Sequence, residues 1–204
     1  LTLGSSTITV TGSGSTAFSI STTTVNAGTS TITMTSASAK TFAGAGKTYY
    51  NLNQGGAGAL TISGNNTFNN ITNSVQPTTV TIGASSTQTV SNFGLAGTAG
   101  NLVTINSSVA GTAGTITRTG TGTITGSYLS LQDSIAVGQF TAYASNGCTI
   151  VSNVSGWAID TNPRYWVGGT GSWTATGTTN WSTASGGSSG ASPPTWANDA
   201  IFDS

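Results

Sequence analysis

The stretch "KTYYNLNQGGAGALTISGNNTFNNIT", residues 47–72, contains nearly the same phrase twice. The letters TYYNL at 48–52 return as TFNNI at 67–71, nineteen positions later, and the alternating segment LTIS lies between them at 60–63. Each copy places an aromatic residue, an asparagine and an aliphatic residue in the same order. In a β-solenoid, equivalent positions of successive coils stack about 4.8 Å apart, so like residues form ladders. The repeat therefore predicts a β-solenoid.

Aligning the two copies predicts an aromatic, an aliphatic and an amide ladder. The pairs are Tyr49 with Phe68, Leu52 with Ile71, and Asn51 with Asn70. We expect the two paired asparagine amides to hydrogen-bond to each other from coil to coil. The letters TVSNF at 89–93 are a third copy at an offset of 22, and they continue the ladders with Asn92 and Phe93. A chance match in a low-complexity sequence is the alternative explanation.

Alternating apolar and hydroxyl residues recur along the chain and predict further strands, because alternate side chains of a strand face opposite sides. The segments are TITVT at 7–11, TITMT at 31–35, LTI at 60–62, TVTI at 79–82, LVTI at 102–105, TIT at 115–117, YLSL at 128–131 and CTIV at 148–151. Their apolar sets predict one common core that includes Leu52, Ile62, Ile71, Leu129 and Leu131. Short strands at regular spacing also fit a β-sandwich, which remains the alternative all-β fold.

The composition excludes several classes of partner. The 204 residues include 41 Thr, 29 Ser and 29 Gly, carry a net charge of zero and contain no His. The charged residues are Lys40, Lys47, Arg118, Arg164, Asp133, Asp160, Asp199 and Asp203. Without a basic cluster the chain lacks the electrostatic footprint of a nucleic-acid-binding protein, and no apolar run reaches the length of a membrane-spanning helix. We therefore expect neither nucleic-acid binding nor membrane insertion.

Residue types that carry chemistry are scarce, so we predict no catalytic, cofactor or metal site. Asp133 and Asp160 are 27 residues apart and could meet on adjacent coils, as a glycosidase carboxylate pair would. Asp is also common in turns, and we expect each of the two to end a strand. Without His there is no Ser–His–Asp triad, and one Cys cannot form a zinc site. The sequence predicts that the chain is not an enzyme.

Two small motifs have a structural explanation. GAGKT at 44–48 matches only the last part of a phosphate-binding loop, and because no helix is predicted after it, we expect Lys47 to be a solvated turn residue. Cys148 has no partner for an internal disulfide. It also lacks basic neighbours, so we expect a small buried side chain rather than a reactive thiol.

A domain boundary is predicted near residue 160. Residues 1–160 carry the solenoid pattern, and residues 161–204 form a small Trp-rich β module that we expect to open a further repeat domain. Four of the five tryptophans lie there: Trp166, Trp173, Trp181 and Trp196. Exposed tryptophan faces stack on sugar rings, so Trp166, Trp173 and Trp181 are the candidate glycan contacts. The alternative, which we favour, is that they fill the core of a module poor in aliphatic residues.

Several phrases together resemble a known family. They are TFAGAGKTYYNL, NTFNNITNSVQPTTVTI, TQTVSNFGLAGTAGNLVTINSS, SYLSLQDS and VSGWAI, within residues 41–159. They resemble Thr/Gly-rich β-helical repeat proteins of bacteriophage virions, such as tail and head fibres, and of large bacterial surface proteins. RYWVGGTGSWTATGTTNWS at 164–182 resembles the phrase that opens repeat modules in autotransporter-like and phage-associated surface proteins.

The resemblance implies a structural fibre or surface protein of a phage virion, with a contribution to host recognition. The alternative is an adhesin on the outer surface of a bacterial cell that binds glycans through the Trp-rich segment, and a polysaccharide-degrading tailspike enzyme is a third option. The implied partners are other copies of the chain in a homo-oligomer, a trimer by family expectation, together with other virion or surface proteins and cell-surface glycans. We also expect the chain to be a section of a longer polypeptide with similar repeats on both sides.

Overall fold

A computed structural model describes residues 1–21, 24–159, 163–171, 180–194 and 200–202. The chain divides into two compact units. The first, called the solenoid unit below, contains Leu1–Ala142 and Asn146–Ala158; the second, called the Trp module, contains Tyr143–Ser145 and Ile159–Ser204. Within the described residues the chain is nearly all β-structure, with a single turn of 3₁₀ helix at Ala144–Asn146.

The strands of the solenoid unit are short, as expected where glycine, serine and asparagine clusters interrupt the alternating segments. They are β1 (Thr7–Val10), β2 (Gly14–Ser19), β3 (Thr31–Met34), β4 (Lys40–Ala43), β5 (Thr48–Gln54), β6 (Leu60–Ser63), β7 (Thr67–Asn73), β8 (Thr78–Ile82), β9 (Thr87–Gly94), β10 (Val103–Ser107), β11 (Gly114–Arg118), β12 (Ile124–Thr125), β13 (Leu129–Thr141) and β14 (Thr149–Ala158). Every segment predicted as a strand lies in or overlaps one of them.

The strands of the solenoid unit form a parallel β-solenoid of about eight turns. The hydrogen-bonded order is β1-β3-β5-β7-β9-β11-β13-β10-β8-β6-β4-β2, and β14 pairs with β13. From β3 to β11 each coil therefore adds one strand to each side of the stack, and β13 runs across both sides. The sandwich alternative is wrong, because the sheets of a sandwich are antiparallel whereas each of these pairings is parallel.

The register predicted from the repeated phrase is confirmed. Tyr49 lies opposite Phe68, with stacked rings whose centroids are 5.7 Å apart, and Leu52 lies opposite Ile71. The third copy is also in place, since Phe93 lies opposite Ile71 and the two neighbouring asparagines align as predicted. Phe18, Phe42, Tyr49 and Phe68 form one aromatic cluster. The repeated phrase thus marks coils that stack in register.

The hydrogen bonding predicted for the amide ladder is wrong in detail. Asn51 and Asn70 are register partners, but the amide nitrogen of Asn69 donates to Asn51 Oδ1 at 3.2 Å, and Asn51 Nδ2 donates to Thr31 Oγ1 at 3.2 Å. The buried Asn70 Oδ1 accepts no hydrogen bond from the described residues. In β5 and β7 two consecutive half-buried residues interrupt the alternation. The asparagine that bonds the preceding coil is the second of the two in β5 (Asn51) and the first in β7 (Asn69), which explains why Asn51 and Asn70 do not bond each other.

The common core predicted from the alternating segments is confirmed. Leu52, Ile62, Ile71, Leu129 and Leu131 each have 0% of their surface exposed. They belong to continuous ladders, one of which runs Leu60, Val80, Ile105, Leu131 and Ile150 along the stack. Each coil therefore buries its few apolar residues against those of the next coil, which lets a chain poor in aliphatic residues form a core.

The Trp module contains a three-stranded sheet in its described residues. Its strands are β15 (Arg164–Trp166), β16 (Trp181–Ser182) and β17 (Ala200–Phe202). The central strand β15 pairs antiparallel with β16 and parallel with β17. The prediction of a small separate β module after the solenoid is confirmed.

Candidate functional site

The aromatic cluster of the Trp module contains two of the candidate glycan contacts, Trp166 and Trp181, for which the core alternative is favoured from the sequence. The Trp166 ring lies edge-on to Trp181 at 5.2 Å between centroids and 6.0 Å from Phe202. Trp181 is 1% exposed, so its faces are covered and it is a core residue rather than a glycan contact. The prediction for Trp181 is therefore corrected in favour of the core alternative. Trp173 lies outside the described residues, as does Trp196.

Trp166 is half-buried, whereas Trp181, the other described tryptophan of this module, is buried. Trp166 Nε1 donates to the carbonyl of Gly169 at 2.8 Å, which fixes the orientation of the indole. Phe202 beside it is 59% exposed. A half-buried indole held by a hydrogen bond next to an exposed phenyl ring offers a small apolar face of the kind that stacks on a sugar.

The carboxylate pair considered for catalysis is not assembled by the described residues. Asp133 is 3% exposed, and its Oδ1 accepts a hydrogen bond from Asn153 Nδ2 at 2.7 Å. Asp133 was expected to end a strand, and this is wrong, because it lies inside β13 with φ of 48° where the strand turns a corner. Asp160 lies outside the described residues. The amide-bound Asp133 carboxylate is therefore a structural corner residue.

The GAGKT segment forms a turn between two strands. Lys47 N donates to Gly44 O at 3.1 Å across the turn, and β5 begins at Thr48. A phosphate-binding loop of this kind runs into a helix whose N-terminus faces the phosphate. A strand follows here instead, so the segment has no phosphate-binding geometry, and Lys47 is a half-buried residue after the turn.

Lys40 forms a buried cationic site that the sequence reasoning missed. It is 1% exposed, and its Nζ donates to Gly58 O at 2.6 Å and to Ser36 O at 2.9 Å, with Gly56 O at 3.5 Å. It occupies the ladder position next to Leu60, where later coils place aliphatic residues. The ammonium therefore joins the loops of two successive coils. Desolvation by burial lowers the pKa of Lys40.

The loop geometry around Lys40 depends on close backbone contact. A Cβ atom on Gly58 would lie 2.2 Å from Ser38 O, so only glycine fits there without a shift. Gln54, fully buried, donates from Nε2 to the same Gly58 carbonyl at 2.7 Å and to Thr78 Oγ1 at 2.8 Å. Lys40 and Gln54 together satisfy the carbonyl groups that the tight loop turns toward the interior, as buried polar groups require.

Arg118, like Lys40, donates hydrogen bonds to backbone carbonyls of loops. Its guanidinium donates from Nε to Ser91 O at 3.3 Å and from the two terminal nitrogens to Gly122 O and Thr121 O. Arg118 and Lys40 thus bind backbone carbonyls of loops.

A buried amide pair lies at another corner of the coils. Asn66 is 0% exposed and donates to Ser63 O at 3.0 Å and Gln88 Oε1 at 3.0 Å, and its Oδ1 accepts from Gly46 N at 3.1 Å. Gln88 on the next coil donates to Gly64 O at 2.6 Å. Their hydrogen bonds connect the turns of three successive coils. In the sequence, Asn66 and Gln88 each come directly before a threonine of the same ladder, Thr67 and Thr89, and this shared position could have identified them.

The remaining chemical groups are structural in this fold. Cys148 is buried, as expected, and burial raises the pKa of its thiol. In the described residues no cluster of His, Cys, Asp and Glu side chains is large enough to bind a metal ion. None of the described segments forms a helix that is long and apolar enough to span a membrane.

Comparisons with family models, curated proteins and solved structures found no match to the chain. The fold defines the class: a parallel β-solenoid protein with a small tryptophan-bearing β module.

Proposed function

We propose that the chain is a structural fibre or surface protein of a bacteriophage virion, with a part in host-surface recognition. The observation that supports this proposal best is the regular ladder from β3 to β11, in which strand follows strand without a shift of register. Each coil is hydrogen-bonded to two neighbours along the stack, which resists bending and unravelling. About eight turns at about 4.8 Å per turn give a rigid body about 40 Å long, which suits a fibre.

The charged side chains support a structural role rather than catalysis. Lys40 and Arg118 bind loop carbonyls, and Asp133 binds the Asn153 amide inside the strand pairing of the last coil. An enzyme instead needs titratable groups aimed at a shared site that a substrate can enter. The cationic and carboxylate groups described here strengthen the scaffold, so we propose no enzymatic activity.

The partners proposed are other copies of the chain, other virion or surface proteins and cell-surface glycans. A net charge of zero puts no long-range repulsion between copies. We propose a homo-oligomer, with a trimer as the first expectation, located on the virion or, in the alternative, on the bacterial cell surface. Multi-angle light scattering of the purified chain measures this directly, and a mass of one chain at high concentration contradicts it.

Immunogold electron microscopy tests the function itself. An antibody raised against the folded chain is applied to phage particles and to bacterial cells from the source material. Gold on fibres or on the surface of the particles is the expected result. Gold on the cell surface alone contradicts the virion proposal and supports the adhesin alternative, and labelling of neither overturns both.

The adhesin alternative is supported by the half-buried Trp166 and its exposed neighbour Phe202. A glycan array probed with the parent chain and with Trp166→Ala separates it from a purely structural role. Binding that is lost with Trp166→Ala but kept with Tyr50→Ala, a half-buried aromatic residue of the solenoid unit, supports a glycan site. Equal binding by both variants, or no binding by the parent, rejects it.

A further inference from the structure

The strand pairings of the solenoid unit are regular in the middle of the stack and irregular at its ends. From β3 to β11 each described pairing keeps one register over its whole length. Register shifts occur in the pairing of β2 with β4 and in the pairing of β13 with β14. Both shifts involve a strand that pairs on one side within the described residues. The irregularity therefore belongs to the strands that end the ladder.

The pairing of β14 with β13 contains a β-bulge. Leu131 lies opposite Ile150 and Gln132 lies opposite Ser152, so Val151 is an extra residue with no partner across the pairing. Its side chain is 58% exposed. Bulges of this kind bend a strand and increase its local twist. The outer edge of β14 is therefore not straight.

In the described part of the solenoid unit, left-handed residues interrupt the strands themselves only in β2, β13 and β14, whereas the interior coils place them in the turns between strands, for example at Gly64 and Ser85. Within the strands of the solenoid unit, the described residues with positive φ are Gly14, Asp133, Gly138, Asn153 and Gly156. They lie in β2, β13 and β14, and those with positive φ elsewhere lie outside strands β3 to β11. Asn153 has φ of 52°, and its hydrogen bond to Asp133 holds the two corners together. A left-handed residue redirects the N–H and C=O groups on both sides of it.

Gly156 brings β14 unusually close to β13. A Cβ atom at this position would lie 1.8 Å from Ala136 O, and φ is 74°. Further along, Ser155 lies opposite Ile135 and Trp157 lies opposite Phe140, so β13 contributes three more residues than β14 over this interval. The last strand is thus bent against its neighbour at three separate positions.

We propose that β14 is an end stop that closes the solenoid ladder against the addition of another strand. A parallel strand can join an edge only where the N–H and C=O groups are evenly spaced along it. Proteins guard such edges with charges or with bulges, and β14 contains no charged residue. The bulge and the left-handed corners take that role. Copies of the chain accordingly do not join through this end, and any homo-oligomer forms through other surfaces.

The inference rests on the pairing of β13 with β14 and not on the proposed function. At the opposite end β1 pairs regularly with β3, but it is only four residues long. Thr149–Ile150 of β14 continue the side of the stack that ends in β2, and Val154–Ser155 continue the side that ends in β1. A copy whose β14 was straightened would therefore offer its edge to the β1 and β2 end of a second copy. Straightening β14 should therefore convert the chain into a head-to-tail polymer, because the two unlike ends generate an open, non-closing assembly.

The test is a variant that lacks Val151 and carries Asn153→Thr, which removes the extra residue and one left-handed corner. Val151→Thr is the control, since it removes the exposed apolar side chain but keeps the bulge. Light scattering over a hundredfold concentration range and electron microscopy are the readouts. We expect linear end-to-end assemblies of the straightened variant and none of the parent or the control. Gly156 stays in place in this variant, so the test addresses the bulge and the Asn153 corner. A folded variant that assembles no more than the parent overturns their role as the end stop.

A measurement on the unaltered chain keeps the proposal testable if the straightened variant does not fold, which circular dichroism reveals. Hydrogen exchange of the β14 amides is followed at low and at high protein concentration. The proposal expects the same protection at both concentrations, because β14 gains no partner strand. Protection that rises with concentration in β14, but not in the interior strands β6 and β7, overturns the proposal.

Discussion

Replacement of Ile62 by Asp tests the alternation on which the whole core depends. Ile62 is 0% exposed in β6, where it lies between Phe42 and Ile82 in its ladder. Thr61, its neighbour in the same strand, is half-buried and points to the outer face. Thr61→Asp is therefore a matched control that places the same carboxylate one residue away, on the opposite side of the sheet.

The expected cost of Ile62→Asp follows from two terms. Loss of the buried side chain costs about 2–5 kcal/mol. Burial without a cation raises the pKa of a carboxyl by about 3–5 units, so the folded carboxyl is largely protonated at pH 7. Holding it protonated there adds about 4 kcal/mol, which is set by the distance from its unfolded pKa of about 3.9 to pH 7. Lys40, the register partner of Leu60 two residues earlier in β6, already donates to three carbonyls and cannot offset the new charge. The sum approaches or exceeds the stability of about 5–15 kcal/mol typical of a domain, so the variant should be largely unfolded at pH 7.

Thermal melts followed by circular dichroism at pH 7 and pH 4 provide the assay. The folded-state pKa of the new carboxyl lies above its unfolded value, so its penalty grows as pH rises, and Ile62→Asp should regain part of its stability at pH 4. Thr61→Asp should stay within about 1 kcal/mol of the parent. An Ile62→Asp chain with the melting temperature of the parent would refute the reasoning, as would equal losses for both variants.

Three further predictions concern buried polar groups. Acetic anhydride should acetylate Lys47 but spare the folded Lys40, and equal labelling by peptide mass spectrometry would place Lys40 at the surface. Burial raises the pKa of Tyr49 to about 12 from 10, so the parent should lose about 2 kcal/mol of stability as pH rises from 10 to 12. Tyr49→Phe should remove that loss in pH-dependent denaturant titrations, and an unchanged slope would contradict it. Asn66→Ala should cost about 2–4 kcal/mol in urea unfolding, because it leaves Gly46 N without its acceptor and removes the side-chain donor to Gln88 Oε1; a cost below 1 kcal/mol would contradict it.

The ladder register was predictable from the sequence because stacked coils place equivalent positions in the same environment, and similar residues therefore recur along the chain. Tyr49 and Phe68 face the same neighbours on successive coils, so the same residue type suits both positions. The alternation of apolar and hydroxyl residues likewise predicted Leu129 and Leu131 in the core. Each of these inferences needed only local period and the fixed spacing of parallel strands.

The buried cation was not predictable by the same route. The alternation of β4 places Lys40 on the interior face. A lysine is nevertheless expected at the surface unless hydrogen-bond partners for its ammonium are known. Those partners are carbonyls of Ser36, Gly56 and Gly58, which become neighbours only when two loops stack. The corner at Asp133 was missed for a related reason, since its left-handed backbone depends on Asn153 in the following coil.

Distances along one ladder test the central claim, the in-register parallel stack, most directly. Thr7, Thr31, Asn51, Asn70 and Asn92 are consecutive register partners. Paired spin labels at Thr7→Cys with Asn51→Cys, Asn70→Cys or Asn92→Cys should be separated at the backbone by about 10, 14 and 19 Å, a constant increment of about 4.8 Å per coil. The buried, protonated Cys148 should take up no label, and the parent chain serves as the blank. Distances from electron paramagnetic resonance that rise by this increment support the stack, and distances that do not increase in this order contradict it.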